Sequence, residues 1–230
     1  MTTGAHEIVP AVEGSALALT EVRLEGGESH VAGSPDCDSL VYVYAGSGLV
    51  AVNGEQWPVA SGAAGLVLAG EQGRIEAVEG TLGAIVATVG ADTDRHAPIG
   101  ARESVVRLNH SGSEKATGAR SYQVLLGPHN GSTRATLFAG YIPPGKAPWH
   151  YHLYDEIVWV PEGPGRLYIG DETEELGPGS AFRLRPRQVH IVENSSADRE
   201  LTIIGVFTPA GSPSAAYLTP DVAAEYRFAG

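Results

Sequence analysis

The sequence predicts an all-β chain, and three observations carry that prediction. Across 230 residues, 30 glycines and 15 prolines punctuate a composition that is 43% hydrophobic and only 18% charged, which suits short strands joined by tight turns better than a helical bundle. Apolar runs of strand length alternate with glycine-bearing turns throughout. Finally, the chain repeats itself: "LVYVYAGSGLVAVNGEQWPVASGAAGLVL" (residues 40–68) aligns without a gap on "IVWVPEGPGRLYIGDETEELGPGSAFRLR" (residues 157–185), a displacement of 117. Gly46, Gly48 and Gly62 fall on Gly163, Gly165 and Gly179. An internal repeat of this size means two copies of one architecture.

Each copy reads, in order, as an apolar strand, a tight G-x-G turn, a second strand, a polar turn, and a third strand opened by glycine. An alternating strand precedes each copy, "EVRLEGGESH" (residues 21–30) in the first and "FAGYIPPGKAPWH" (residues 138–150) in the second. The stretch 90–120 between them is rich in Gly, Ser and charge and reads as a linker plus an entering strand. This places the domain boundary near residue 100, with an N-terminal unit 1–100 and a C-terminal unit 101–230. After Pro209 the tail reads as a loop and one short helix around "PDVAAEYRF", with Pro220 at the first helical position.

A formal net charge of −12, from 15 Lys+Arg against 27 Asp+Glu, offers no footprint for nucleic acid or an anionic membrane. The opening "TTGAHEIVPAVEG" has neither a basic nor an apolar leader segment, and no later run reaches membrane-spanning length. The expectation is a cytoplasmic protein that acts on a small molecule. One cysteine, Cys37, excludes an internal disulfide and cannot alone make a thiolate metal site.

The chemistry concentrates in "PWHYHLYDEIVWVPEGPG", residues 148–165. Residues i and i+2 of a strand project from one face about 6.6 Å apart, so His150 and His152 point together. If they face a barrel interior they can share an ion, for which Glu156 supplies an anionic oxygen and His190, in "LGPGSAFRLRPRQVHIVEN", a third imidazole. Asp155 alternates to the opposite side of its strand and is not counted a ligand. His129, in a turn-like stretch, is left outside the site.

At this point the chain resembles the cupin superfamily. Its first motif, G-x5-H-x-H-x3,4-E-x6-G, matches His150, His152, Glu156 and Gly163 in register, with Gly145 one residue closer than usual. Its second, G-x5-P-x-G-x2-H-x3-N, matches Gly179, His190 and Asn194, while Pro186 sits one place late and Arg187 stands where the family has glycine. The resemblance implies a bicupin, two tandem jelly-roll barrels. It also implies one divalent metal ion, Mn, Fe, Ni, Cu or Zn, on His150, His152, Glu156 and His190, with Glu156 the one ligand that could also act catalytically. The N-terminal barrel is implied to lack a metal, because displacing those ligands by 117 lands on Gly33, Pro35, Ser39 and Gly73.

Beside the ligands, Arg183 and Arg185 share one strand face, and Arg187 and Gln188 follow them. Facing the cavity, the arginines could clamp a carboxylate; the apolar filling of small barrels favours Phe182 and Leu184 inside instead. Trp149, Tyr151, Tyr154 and Trp159 could hold a planar substrate or simply pack. Among cupin activities the expectation leans to a dioxygenase, with a metal-dependent isomerase, lyase or aminohydrolase, and a non-catalytic sensor or storage module, as alternatives. Exposed edge strands suggest a homodimer. Acidification is expected to expel the metal where histidines protonate.

Overall fold

The computed structural model describes residues 3–90, 93, 95–109, 113–116 and 119–219. Its described residues are strands with one short 3-10 turn, Pro128–Asn130. The helix expected around Pro220 lies outside the described residues.

In the N-terminal barrel the strands Gly4–Val9, Leu17–Glu25, Thr81–Gly90, Cys37–Val52 and Ala63–Val67 lie side by side in that order, with Ser29–Val31, Glu55–Ala60 and Gly73–Glu76 forming the opposing wall. The C-terminal barrel repeats this plan as two six-stranded sheets. One contains Ser121–Leu126, Thr136–Ile142, Leu201–Thr208, Asp155–Trp159 and Ala181–Leu184; the other is centred on His190–Asn194, between Gly165–Ile169 and His150–His152. The repeat is kept at the level of single pairings. Ser39 faces Val67 as Glu156 faces Leu184, and Gly48 faces Val59 as Gly165 faces Leu176, each pair displaced by 117 residues from its counterpart.

Three local expectations are corrected. The G-x-G element is a corner where the chain passes from one sheet to the other, and it makes no tight hairpin. In the first copy Cys37–Val52 runs through it unbroken, and Gly46, at φ 70, approaches so closely that a Cβ would lie 1.8 Å from the Thr81 carbonyl oxygen. In the second copy Pro161 and Pro164, which lack the N–H a ladder needs, flank the same corner, and the strand divides into Asp155–Trp159 and Gly165–Ile169. Next, Val105–Arg107, beyond the expected boundary at residue 100, pairs with Ala63–Val67 and extends the N-terminal sheet, its two valines covering an otherwise open edge. Lastly, the tail after Pro209 contains a strand, Ala216–Leu218, paired with His150–His152.

The barrels pack through the outer faces of their large sheets. Leu19, Leu40 and Leu66 meet Leu137, Trp159 and Val206 in one shared core. Across this contact Arg134 Nη1 lies 2.6 Å from Asp38 Oδ1, with both residues 3% exposed. Asp38 also accepts a hydrogen bond from the Ala69 amide. Removing one member of a buried pair strands the other charge. Arg134→Ala should therefore destabilise the protein by about 3–5 kcal/mol, whereas the double change Arg134→Met with Asp38→Leu should recover most of the loss. Urea midpoints decide this; a single variant as stable as the parent would contradict it.

Candidate metal centre

His150–His152 lies between His190–Asn194 and Ala216–Leu218 and places His150 directly opposite His190. Strand alternation sends His150 and His152 inward, while Tyr151 stacks outside on Tyr217, ring centroids 5.5 Å apart. The ligand-type atoms of His150, His152 and His190 lie within 4.8 Å of one another, and all three residues are buried. The Nδ1 of His150 meets the Pro148 carbonyl and that of His190 the Gln188 carbonyl, both at 2.9 Å. A carbonyl can only accept, so in each ring Nδ1 carries the proton and Nε2 keeps its lone pair for a cation. The Tyr154 ring stacks on His152 at 4.6 Å and fixes its plane.

Burial sets the protonation of this group. Loss of hydration pulls His150 down to about 2, His152 to about 3 and His190 to about 4, with the neighbouring His190 adding to the drop in the first two. Protonation of the folded site therefore begins well below the ordinary histidine range. Glu156, 3% exposed, is pushed up to about 8 by burial, against a smaller opposing pull from Arg120. Its Oε2 lies 3.6 Å from His152 Nε2, too far for a hydrogen bond. With a neutral imidazole and a protonated carboxyl near pH 7, this contact is no ion pair. The three imidazoles are thus a converging set of neutral donors that fits a divalent metal, while Glu156 stands outside that group beside His152, a carboxyl able to ionise when a cation arrives.

The cavity above the imidazoles has a volume of about 70 Å³. Its walls include Phe138, Val158, Leu184, Val192 and Ile203, together with Tyr122, Tyr154 and Arg120. Phe182 and Leu184 turn inward, as barrel filling favours, and the neighbouring arginines stay outside. Arg183 reaches Asp155 Oδ2 at 2.5 Å and the carbonyls of Pro10 and Leu17, bracing the N-terminal arm. Asp155 accordingly points away from the metal residues. Arg185 and Arg187 are exposed; Arg187, at φ 65, keeps the left-handed turn that glycine would make and donates its amide to the His152 carbonyl. Of the aromatics in the motif, Tyr154 lines the cavity, while Trp159 packs against Tyr44 of the other barrel.

Arg120, Tyr122, Phe138 and Gly205 join the site although no motif marks them. Gly205 has a readable signal, a glycine interrupting the apolar run "LTIIGVFT". A Cβ there would lie 2.3 Å from Phe138 Cε1 and 2.9 Å from Glu156 Oε1. Only glycine lets those two side chains meet over the sheet.

A family model described as "Cupin domain" matches residues 139–207. This stretch, inside the C-terminal barrel, is similar to a cupin domain. The matched stretch contains all four expected ligands, His150, His152, Glu156 and His190. L-ectoine synthase from Rhodococcus opacus (strain B4) is 38% identical over 63 residues, 26% of this chain and 46% of the synthase, so the match spans under half of that relative. A mutant of Bacillus subtilis oxalate decarboxylase superposes with a TM-score of 0.75 at 14% identity, covering 99% of this chain and 78% of that one. A Cupin 2 conserved barrel domain protein from Leptotrichia buccalis gives 0.63 at 14% identity, over 90% and 91%. These likenesses establish the bicupin fold.

At the displaced positions the N-terminal barrel has neither imidazole nor carboxylate: Gly33, Pro35 and Gly73 border an open groove, and Ser39 is buried. Gly33 and Gly73 close on each other through backbone, and a Cβ on Gly73, the counterpart of His190, would lie 2.5 Å from Val67 Cγ1. Val41, Val43, Val50, Ile75 and Val86 pack together inside.

Proposed function

We propose that the C-terminal barrel is a metal-dependent catalytic site, with His150, His152 and His190 as neutral ligands and Glu156 as the anionic one, acting on a substrate of only a few heavy atoms. Three buried imidazoles converging beneath a cavity of about 70 Å³ carry this reading. A bound divalent ion would supply Lewis acidity, polarising an oxygen of the substrate. The chain does the rest. The carbonyls of Pro148 and Gln188 hold two imidazoles in the ligating tautomer, Glu156 balances the charge, Tyr154 orients His152, and the apolar wall excludes water so that charges inside act at low dielectric.

Size selects among the substrates. An engineered cavity of about 150 Å³ holds one benzene, and the space here, about 70 Å³, favours a small substrate over a flavonol. The reading is bond cleavage or rearrangement of a small oxygen-bearing molecule, with a dioxygenase acting on an equally small substrate as the alternative. A synthase and a decarboxylase among the relatives support it. The test assays Mn-, Fe-, Ni-, Cu- and Zn-loaded protein against two- and three-carbon hydroxy and keto acids, following both product and dissolved oxygen. Metal-dependent turnover with constant oxygen is expected. Oxygen consumed in proportion to product would establish the dioxygenase instead, and a metal-bound protein inert to every substrate would favour a sensor or storage module.

A further inference from the structure

On the strand Thr136–Ile142, alternation turns Phe138, Gly140 and Ile142 toward the metal cavity, and all three line it. Phe138 stands opposite Gly205, and Gly140 opposite Ile203, on the neighbouring strand Leu201–Thr208. Each pair sets one large side chain against none. A Cβ on Gly205 would lie 2.3 Å from Phe138 Cε1, and one on Gly140 would lie 2.9 Å from Ile203 Cγ1 and 3.3 Å from Phe138 Cε2. The phenyl ring therefore takes up space beside two glycines at once.

The ring is fixed there and stands next to the metal residues. Phe138 is buried, and Tyr122 and Phe207 meet it edge-on at centroid distances of 6.5 and 5.9 Å. The point where a Gly205 Cβ would clash with the ring is 2.9 Å from Glu156 Oε1, so ring and carboxyl are neighbours, and the three site histidines line the same cavity. A core that loses volume relaxes when surrounding side chains move in, and only partly. At positions 140 and 205 there is no side chain to move. A truncated Phe138 would leave a hollow continuous with the metal cavity, and the intact ring is what keeps that cavity near 70 Å³.

Resting on the metal reading above, we propose that Phe138 sets the upper size limit of the substrate: its ring fills the place a substituent would need and confines the site to acids of about two or three carbons. Phe138 is then a specificity-determining residue that acts by volume and supplies no ligand.

The test uses probes shaped like the missing ring. Benzene is titrated into metal-free and Mn-loaded wild type, Phe138→Ala and Phe138→Val and followed by proton NMR. Glycolate and its phenyl-substituted form, mandelate, are titrated into the Mn-loaded proteins by calorimetry. Metal-free Phe138→Ala should bind benzene where the wild type does not, and manganese should broaden the signal of the bound benzene. Mandelate should bind Phe138→Ala about tenfold or more tighter than wild type, with glycolate unchanged; Phe138→Val, the milder truncation, should show the same gains in smaller measure and guards against loss of the fold. Leu137→Ala is the control, since Leu137 faces the core shared by the barrels, and it should gain no mandelate. Mandelate binding the wild type as tightly as Phe138→Ala, or folded Phe138 variants that gain neither probe, would overturn the proposal. Benzene gained while neither acid binds would overturn the assignment to acids. A wild type that takes up no manganese would sink the metal reading alone, since benzene in the metal-free proteins still decides whether Phe138 limits the cavity.

Discussion

His152→Ala should abolish stoichiometric metal binding. Wild type purified without chelators should contain close to one divalent ion per chain, and the variant should bind at least about a hundredfold more weakly, because losing a direct ligand costs more than the 10–100-fold typical of losing an outer partner. The two remaining imidazoles and Glu156 cannot close a four-ligand shell. Tyr151→Phe is the local control: its ring lies outside against Tyr217, so metal content should stay. Ser39→Ala is the control for the other barrel, since Ser39 holds the place that Glu156 holds in the second copy. Elemental analysis of the four proteins decides. Equal metal in all of them, or loss in Ser39→Ala alone, would remove the site from where it has been placed.

The second large effect is on stability against pH in the metal-free protein. The three site histidines titrate near 2, 3 and 4 when folded and near 6.5 when unfolded. Between about pH 6.5 and 4 the unfolded chain therefore takes up protons that the folded chain refuses, and stability falls as pH falls, by about 1.4 kcal/mol per pH unit for each such proton. Glu156 works oppositely. Its folded value near 8 lies above the usual 4.5, so the folded state holds an extra proton between those values and its stabilisation is lost as pH rises through 8. Melting temperatures should peak near pH 6.5, with an acid limb steeper than the alkaline one because three groups oppose one. His190→Gln should flatten the acid limb, and added metal should raise the alkaline side most, where Glu156 ionises readily. A melting temperature flat from pH 6.5 to 4.5 would contradict the buried, neutral histidines. The same values revise the expected pH of metal release: the folded imidazoles resist protonation until near pH 4, so acid should expel the ion there or on unfolding.

The histidine pair shows what local sequence can determine. Alternation along a strand needs only the two-residue period, so His150 and His152 had to share a face, and Asp155 had to turn from Glu156. The ungapped displacement of 117 determined the doubled architecture down to pairings such as Ser39 with Val67 and Glu156 with Leu184, because equal strand lengths and corners impose equal registers. Spacing could not distinguish a corner from a hairpin at Gly46, since a glycine permits either and the neighbouring sheet decides which.

What only the tertiary structure decided depends on residues far apart in the chain. His190 meets His150 through a ladder bridging 40 positions, and Arg120 reaches the cavity from a linker whose composition resembles any surface loop. The strand Ala216–Leu218 finds its place only because His150–His152 leaves an edge to pair. The volume of the cavity, and with it the size of the substrate, is set by Phe138, Gly205 and Ile203 packing together, a sum of close contacts that no single stretch of sequence contains.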